Sequence, residues 1–375
     1  MLIMALDHVR DYFHLHAFDD NPTNLATTTP ALFFTRWITH FCAPVFVFLS
    51  GTSAFLASQK KSIPEQSSFL IKRGLWLVFA ELAIVTLGWT FNPLYNLLIL
   101  QVIWAIGWSM IILGVLVRTS RTVIIIIGCI LFLGHNLLDY ANLPKDGGAS
   151  VVWNLLFKAN FAVYPLNDTH FILNVYAILP WTSIMLLGYG FGIFFKSSVT
   201  AAARKKALLV TGFSLTAAFI VLRFINTYGD PAPWSQQKDS LYSFLSFLNT
   251  TKYPCSLQYL CMTIGPALIV LALIENINNK ITGVLTLYGR VPFFYYVVHL
   301  YLIHAIGVIF FFATGHGSNE IVDTQTPFLF RPLHYGFDLW VVYAVWIFVI
   351  VVLYWPCKWF NNYRATHKQW WLSYV

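Results

Sequence analysis

The chain has 375 residues, of which 58% are hydrophobic, 18% aromatic and only 10% charged. Soluble domains are about 45–50% apolar and about 25% charged, so this composition excludes a water-soluble globular protein. The net charge of +8 sits mostly in connections between apolar runs, which reports topology and argues against nucleic acid as a partner.

The apolar runs are about 20 residues long, enough for a helix to cross a bilayer, whereas barrel strands would alternate over about 10. The expected fold class is all-α: a polytopic transmembrane helical bundle, one domain over residues 1–375. Ten spans are predicted, at about 1–14, 31–57, 71–90, 94–117, 122–139, 171–195, 205–225, 256–276, 291–314 and 337–357. The first is short, because only Met1 to Leu6 precede Asp7, and it reads as a span whose beginning lies upstream of Met1.

Four connections are long: 15–30, 140–170, 226–255 and 315–336. The second holds an amphipathic stretch, Val151 to Tyr164, suited to the membrane interface. Rich in aromatics and Pro, these segments read as ordered caps over a site. One set of alternate connections carries Lys60, Lys61, Lys72, Arg73, Arg118, Arg121, Lys196, Arg204, Lys205, Lys206, Lys280, Arg290, Lys358, Arg364 and Lys368. The opposite set carries Lys145, Lys158, Arg223, Lys238, Lys252 and Arg331. That bias places the first set, and the C-terminus, in the cytoplasm. Gly51 with Ser53 and Ala54, and Gly188, Gly190 and Gly192, mark close helix packing. The five cysteines form no CxxC pair, and no Walker A, dinucleotide or HExxH motif occurs.

Asp7, His8, Arg10, Asp11, Arg36 and His40 lie inside the first two apolar stretches. A charge in hydrocarbon costs on the order of several kcal/mol unless paired or hydrated, so such a cluster points to a site. Asp7, His8, Arg10, Asp11 and His14 share about 160° of one helix. Asp11 is placed to reach His8 at i−3, and Asp7 to reach Arg10 at i+3. A carboxylate on one imidazole nitrogen leaves the other as a base. Arg36 and His40 are one turn apart on a common face, and an Arg facing a carboxylate-rich partner helix makes a good bidentate pair. The plain alternative is an ion-pair network that only holds the two helices together.

His14 and His16, followed by Asp19 and Asp20, have a metal-like spacing that is common in loops; no metal is predicted. Later, Tyr288 to His299 forms a second cluster. Tyr295 and His299 at i, i+4 suggest a phenol–imidazole bond, with His304 further on, and Arg290 at the cytoplasmic mouth suits a phosphate. A snorkelling Arg among core aromatics is the competing view. Glu81 is a lone carboxylate in a span, expected to pair with an Arg or to stay protonated.

Met4-Ala-Leu-Asp7-His8-Val-Arg10-Asp11-Tyr12-Phe13 and Phe34-Thr-Arg36-Trp-Ile-Thr-His40-Phe-Cys-Ala-Pro44 are joined by three later motifs: Tyr228-Gly-Asp-Pro-Ala-Pro-Trp234, Phe247-Leu-Asn-Thr-Thr-Lys-Tyr-Pro254, and Tyr288-Gly-Arg-Val-Pro292 with Tyr296-Val-Val-His299. Together they resemble a bacterial membrane family related to the catalytic domain of heparan-alpha-glucosaminide N-acetyltransferase. Cys255 stands where that pattern has a second Pro. The resemblance implies a multi-pass acyltransferase of the bacterial inner membrane. Acetyl-CoA would be the co-substrate, and the acyl group would pass to a sugar or other small-molecule acceptor on the far side. A histidine on the outer part of the first helix is central in such enzymes; it maps onto His8, with His14 or His16 as fallback. The wider group has an Arg ten residues before it, a position that here precedes Met1.

On this view His8, Asp11, Arg36, His40, Asp7 and Arg10 are the catalytic set. Lys72, Arg73 and Arg290 would hold the CoA phosphates. His14, His16, Trp234, Tyr253, Tyr296 and His299 would meet the acceptor, Trp234 and Tyr253 by stacking on a sugar. The partners are the lipid bilayer, acyl-CoA and the acceptor, and a homo-oligomer stays open. The rival reading is a proton-coupled secondary transporter, which also uses intramembrane His, Asp and Arg. Pro44, Pro180, Pro266 and Pro292 lie in or beside spans, but the chain shows none of the matched halves usual in such carriers.

Overall fold

The structure, a computed structural model, describes residues 1–142, 144 and 147–373. Lys145, counted above among the loop cations, lies outside them. The chain opens with α1 (Leu2–Phe13), α2 (Pro30–Thr39), α3 (Cys42–Ser58) and α4 (Ile63–Ala80), followed by a π-helical turn over Glu81–Val85 and the short α5 (Thr86–Thr90). Then come β1 (Leu97–Leu100), α6 (Val102–Leu116), α7 (Arg121–Gly134), α8 (Gly147–Trp153), β2 (Ala162–Pro165) and β3 (Phe171–Asn174). The remainder is helical: α9 (Ile178–Phe191), α10 (Ala201–Ile225), α11 (Ser240–Leu248), α12 (Leu257–Ile274), α13 (Lys280–Arg290), α14 (Pro292–Ala313) and α15 (Leu339–Thr366).

Local chemistry sets many of the boundaries. Side chains of Thr29, Ser120, Thr200, Asp239, Ser256 and Asn279 accept backbone N–H bonds at the starts of α2, α7, α10, α11, α12 and α13. Asn226 ends α10 in the left-handed region, at φ 59°. The expected span at 31–57 divides at His40 and Phe41 between α2 and α3. Pro44 explains the break, since it lacks an N–H and its ring clashes with the carbonyl four residues back, at His40.

Among the described residues, seven helical stretches are long and apolar enough to cross a membrane. They are Pro30–Ser58, Arg121–Asp139, Ile178–Phe195, Ala201–Ile225, Leu257–Ile274, Pro292–Ala313 and Leu339–Thr366. The protein is therefore an integral multi-pass membrane protein. Three of the ten expected spans do not meet that measure. The helix α1 has 12 residues. The helix α4 begins early and takes in Glu65, Lys72 and Arg73. The helix α6 has 15 residues, because Leu97–Leu100 is extended instead.

Chain contacts divide the protein into two units. Residues 1–42, 83–98 and 277–375 form the first. There α1 packs against α2, α14 and α15, and α14 packs against α5 and α15. Both ends of α1 are tied by main-chain groups: Trp346 Nε1 donates to the Leu2 carbonyl at 2.8 Å, and the Phe337 N–H donates to the Phe13 carbonyl at 2.7 Å.

Residues 43–82 and 99–276 form the second unit, and its helix contacts run through small residues, as expected. A methyl group at Gly51 of α3 would fall on the Met185 carbonyl of α9, and one at Gly188 on the Phe48 carbonyl. The pairs α4·α6 and α10·α12 approach as closely, through Gly74 with Gly107 and Gly212 with Gly265. The amphipathic stretch expected from Val151 to Tyr164 is only partly helical. It ends in a π-helical turn at Lys158, and then Ala159, Asn160 and Phe161 all take positive φ (55°, 54°, 54°). From there β2 pairs antiparallel with β3, from Ala162 opposite Asn174 to Pro165 opposite Phe171.

Candidate functional site

Nine of the twelve residues of α1 are buried, including Asp7, His8 and Arg10. His8 Nδ1 lies 2.7 Å from Nε2 of His299, which α14 contributes and which is fully buried. The two rings lie at 19° with centroids 4.9 Å apart. Trp89 of α5 meets the His8 ring edge-on at 4.7 Å, and Tyr296 does so at 6.1 Å. His299 Nδ1 is 2.9 Å from the backbone carbonyl of Tyr295, one turn earlier.

Beside the imidazoles runs an ionic chain. Arg36 of α2 donates from Nη1 to both carboxylate oxygens of Asp7. Arg10 Nη2 lies 2.5 Å from Asp11 Oδ1 and 3.4 Å from Asp7 Oδ1. Two guanidiniums and two carboxylates cancel, which lowers the cost of burying each of them. The Arg36–carboxylate pair and the Asp7–Arg10 pair expected from spacing are both present. Asp11, expected to orient His8, bonds Arg10 through Oδ1, and the group facing His8 Nδ1 is His299.

The phenol–imidazole bond expected between Tyr295 and His299 is absent. In a helix the i−4 carbonyl reaches the imidazole first, so the Tyr295 ring stacks on His299 at 5.1 Å while its buried hydroxyl has no partner among the described residues. His304 is a structural pin: Nδ1 faces the Gly88 carbonyl at 3.2 Å and Nε2 the Leu329 carbonyl at 2.9 Å. Tyr12 packs on His304, Trp89 and Phe328, closing an aromatic wall next to His8.

His40 is buried at the end of α2. His14 ends α1, and His16 is exposed and 3.0 Å from Asp19. Asp20 instead organises its own loop, accepting bonds from Asn24, Thr27 and the Asn21 N–H; these hold its carboxyl below the usual value. Among the described residues no three His, Cys, Asp or Glu gather as they would around a metal ion.

Sequence reasoning treated Arg331 as an ordinary loop cation. It is 1% exposed and donates to the carbonyls of His14 (2.7 Å), Pro332 (2.7 Å) and Asp11 (3.3 Å). Burial pushes its guanidinium down to about 10. A lone Arg amid the aromatics of a long loop was the only available signal.

Arg290 is exposed at the end of α13, and its carbonyl accepts a bond from Arg364 Nη1 at 3.0 Å. Lys72 and Arg73 lie on α4 in the second unit. Trp234, expected to stack on a sugar, is built into a knot instead. Its indole N–H donates to the Arg223 carbonyl at 2.8 Å, and its ring packs on Phe247. Arg223, at the end of α10, binds the carbonyls of Ala232, Ser246, Phe247 and Asn249 and the side chain of Gln258. Asp230 accepts from Ala232, Thr251 and Ser256. The motifs at 228–234 and 247–254 thus meet each other through the Asp230 carboxylate and through Arg223, which binds carbonyls of both. Tyr253 packs on Phe161 and Tyr176 and lines a cleft of about 850 Å³ with the Asp139–Lys158 ion pair, Asn154 and Asn160. Among the described residues Glu81 meets no Arg; it lies in the π-helical turn and accepts the Trp104 N–H at 2.9 Å, capping the start of α6.

A model of the family described as heparan-alpha-glucosaminide N-acetyltransferase, catalytic, matches residues 1–222. The matched stretch contains the Asp7–Arg36 network and His8 and ends before His299. No curated protein matches the chain.

Proposed function

The chain belongs to the heparan-alpha-glucosaminide N-acetyltransferase catalytic family, and on that footing we propose that it moves an acetyl group from acetyl-CoA to an acceptor amine or hydroxyl, with His8 as the proton acceptor. The observation that carries this is the setting of His8, a buried imidazole in hydrogen bond with a second one. It is walled by Trp89 and Tyr296, on a helix whose neighbouring charges already cancel. That leaves an imidazole as the group suited to take a proton.

In the step proposed, the acceptor nitrogen or oxygen attacks the thioester carbonyl. The new C–N or C–O bond forms, the C–S bond breaks, and the proton passes by way of His8 to the departing thiolate. Among the described residues no acceptor meets the buried Nε–H of Arg10, a donor suited to a developing oxyanion. Arg290 and Arg364, adjacent and exposed in the first unit, suit the diphosphate of the donor; Lys72 and Arg73 of the second unit are a separate candidate pair for it. The Lys and Arg bias supports donor entry from the cytoplasm and an acceptor, such as a sugar, on the opposite side of a bacterial inner membrane.

The test is acetyl transfer by the full-length protein in lipid vesicles, using labelled acetyl-CoA and a panel of amino and hydroxyl acceptors. His8→Ala is expected to lower the rate by about 10²-fold or more. An unchanged rate removes His8 from the chemistry, and solute uptake with no acetyl-CoA consumed returns the carrier reading.

A further inference from the structure

We infer that His299 sets the tautomer of His8, so that the lone pair of the dyad sits on His8 Nε2. A neutral imidazole carries one N–H and one lone pair, and which nitrogen holds the proton follows from the hydrogen bonds around the ring. His299 Nδ1 lies 2.9 Å from the Tyr295 carbonyl, which can only accept, so that nitrogen carries the hydrogen. A second proton would make His299 a fully buried imidazolium, and burying a charge is costly. Its Nε2 therefore holds the lone pair. That lone pair faces His8 Nδ1 at 2.7 Å, so His8 Nδ1 is the donor and its Nε2 the basic atom.

The relay ends on a main-chain carbonyl of α14, which cannot rotate away, and the rings are held by stacking of Tyr295 on His299 and the edge of Trp89 on His8. His304 offers a contrast. Both of its nitrogens face carbonyls, so neither is set up to receive a proton from a ligand. With the opposite tautomer, His8 would present an N–H at Nε2 and act as a donor instead of a base. His299 is thus a positioning residue, acting through His8 in the way a buried partner fixes the imidazole of other catalytic dyads and triads.

The kinetic consequence rests on the acetyl-transfer reading of His8; the tautomer itself does not. The first experiment is ¹⁵N NMR of the full-length, histidine-labelled protein in nanodiscs, with His8 assigned by its loss in His8→Asn. An Nδ1–H tautomer at His8 is expected, and an Nε2–H tautomer or an imidazolium at neutral pH overturns the inference. The second compares His299→Leu with His299→Gln, whose amide oxygen can still accept from His8. Leu is expected to lower kcat by about 10²-fold or more with the KM for acetyl-CoA unchanged, and Gln to recover most of that loss. A His299→Leu protein with wild-type kcat overturns the inference. If instead His8→Ala transfers acetyl at the wild-type rate, the acetyl-transfer reading fails while the spectrum still decides the tautomer.

Discussion

Arg36 grips both oxygens of Asp7, fastening α2 to the face of α1 that carries His8. Losing one member of a buried pair costs about 3–5 kcal/mol, and less where a second partner stays, as Arg10 does for Asp7 at 3.4 Å. Asp7→Leu is expected to lower stability by about that amount and Arg36→Met by less. The double variant is expected to lose clearly less than the sum, because no orphaned charge remains. Thermal unfolding of the four proteins in one detergent measures this; strictly additive losses would show that the pair is not coupled.

The charge pattern around His8 was readable because ions in hydrocarbon must find partners, and those nearest in sequence were on hand. His299, 291 residues away, carried no pattern linking it to His8. The local Asp11 was therefore the natural choice for the group that orients the ring, and His299 at Nδ1 was not foreseen. The long apolar runs of α7, α10, α14 and α15 declared themselves by length. Leu97–Leu100 did not, since a short all-apolar run has no periodicity to separate strand from helix. Trp234 looked like a ligand platform because it lies in a long loop rich in Pro and aromatics. Only the fold shows its indole N–H spent on the Arg223 carbonyl.

The Arg223–Asp230 knot leads to a second expectation. Asp230 receives the Thr251 N–H at 2.9 Å, the Thr251 hydroxyl at 2.8 Å and the Ser256 hydroxyl at 2.6 Å. Hydrogen bonds to a charged group contribute about 1.5–3 kcal/mol each and are not additive. Asp230→Ala should therefore destabilise the 226–255 segment by a few such units, and Trp234→Ala should lower stability without raising the KM for any acceptor. Hydrogen exchange at the Thr251 amide, together with acceptor KM values, tests both. A KM effect of Trp234→Ala without loss of stability would restore it as a binding surface.

The 315–336 loop has its own pH dependence. Backbone N–H groups of Gln325 (2.8 Å) and Leu333 (2.9 Å) bond the Asp323 carboxylate and hold it below its ordinary value of 3.8. A carboxyl depressed in the folded state adds stability that is complete above its ordinary value and is lost as pH falls through the folded one. Exchange protection of the Leu333 amide should be flat down to pH 3.8 and fall below it. Asp323→Asn should start lower and show no such fall. Protection that falls already near neutral pH would assign the effect to another group.

Arg331 fixes the C-terminal end of α1 from the same loop. Its guanidinium satisfies the carbonyls of Asp11, His14 and Pro332, and its face lies against Phe18 and Tyr335 at 5.3 and 5.8 Å. Arg331→Met keeps much of the volume but removes three bonds from a charged donor; the His14 and Pro332 carbonyls keep the N–H groups of Ala17 and Tyr335 at 3.1 Å, so the loss is expected to be about 1–3 kcal/mol in total. The expected result is a loosened α1 terminus, seen as faster exchange at the Leu15 and Phe337 amides, which bond across this junction. Lys, a point charge without the planar fork, should recover only part of the protection. Because the His8–His299 bond lies further back along α1, its ring geometry should survive. Loss of acetyl transfer in Arg331→Met with the His8 tautomer intact would then mean that the end of α1 contacts substrate, and full protection at Leu15 in that variant would show that the three carbonyl bonds contribute nothing to holding it.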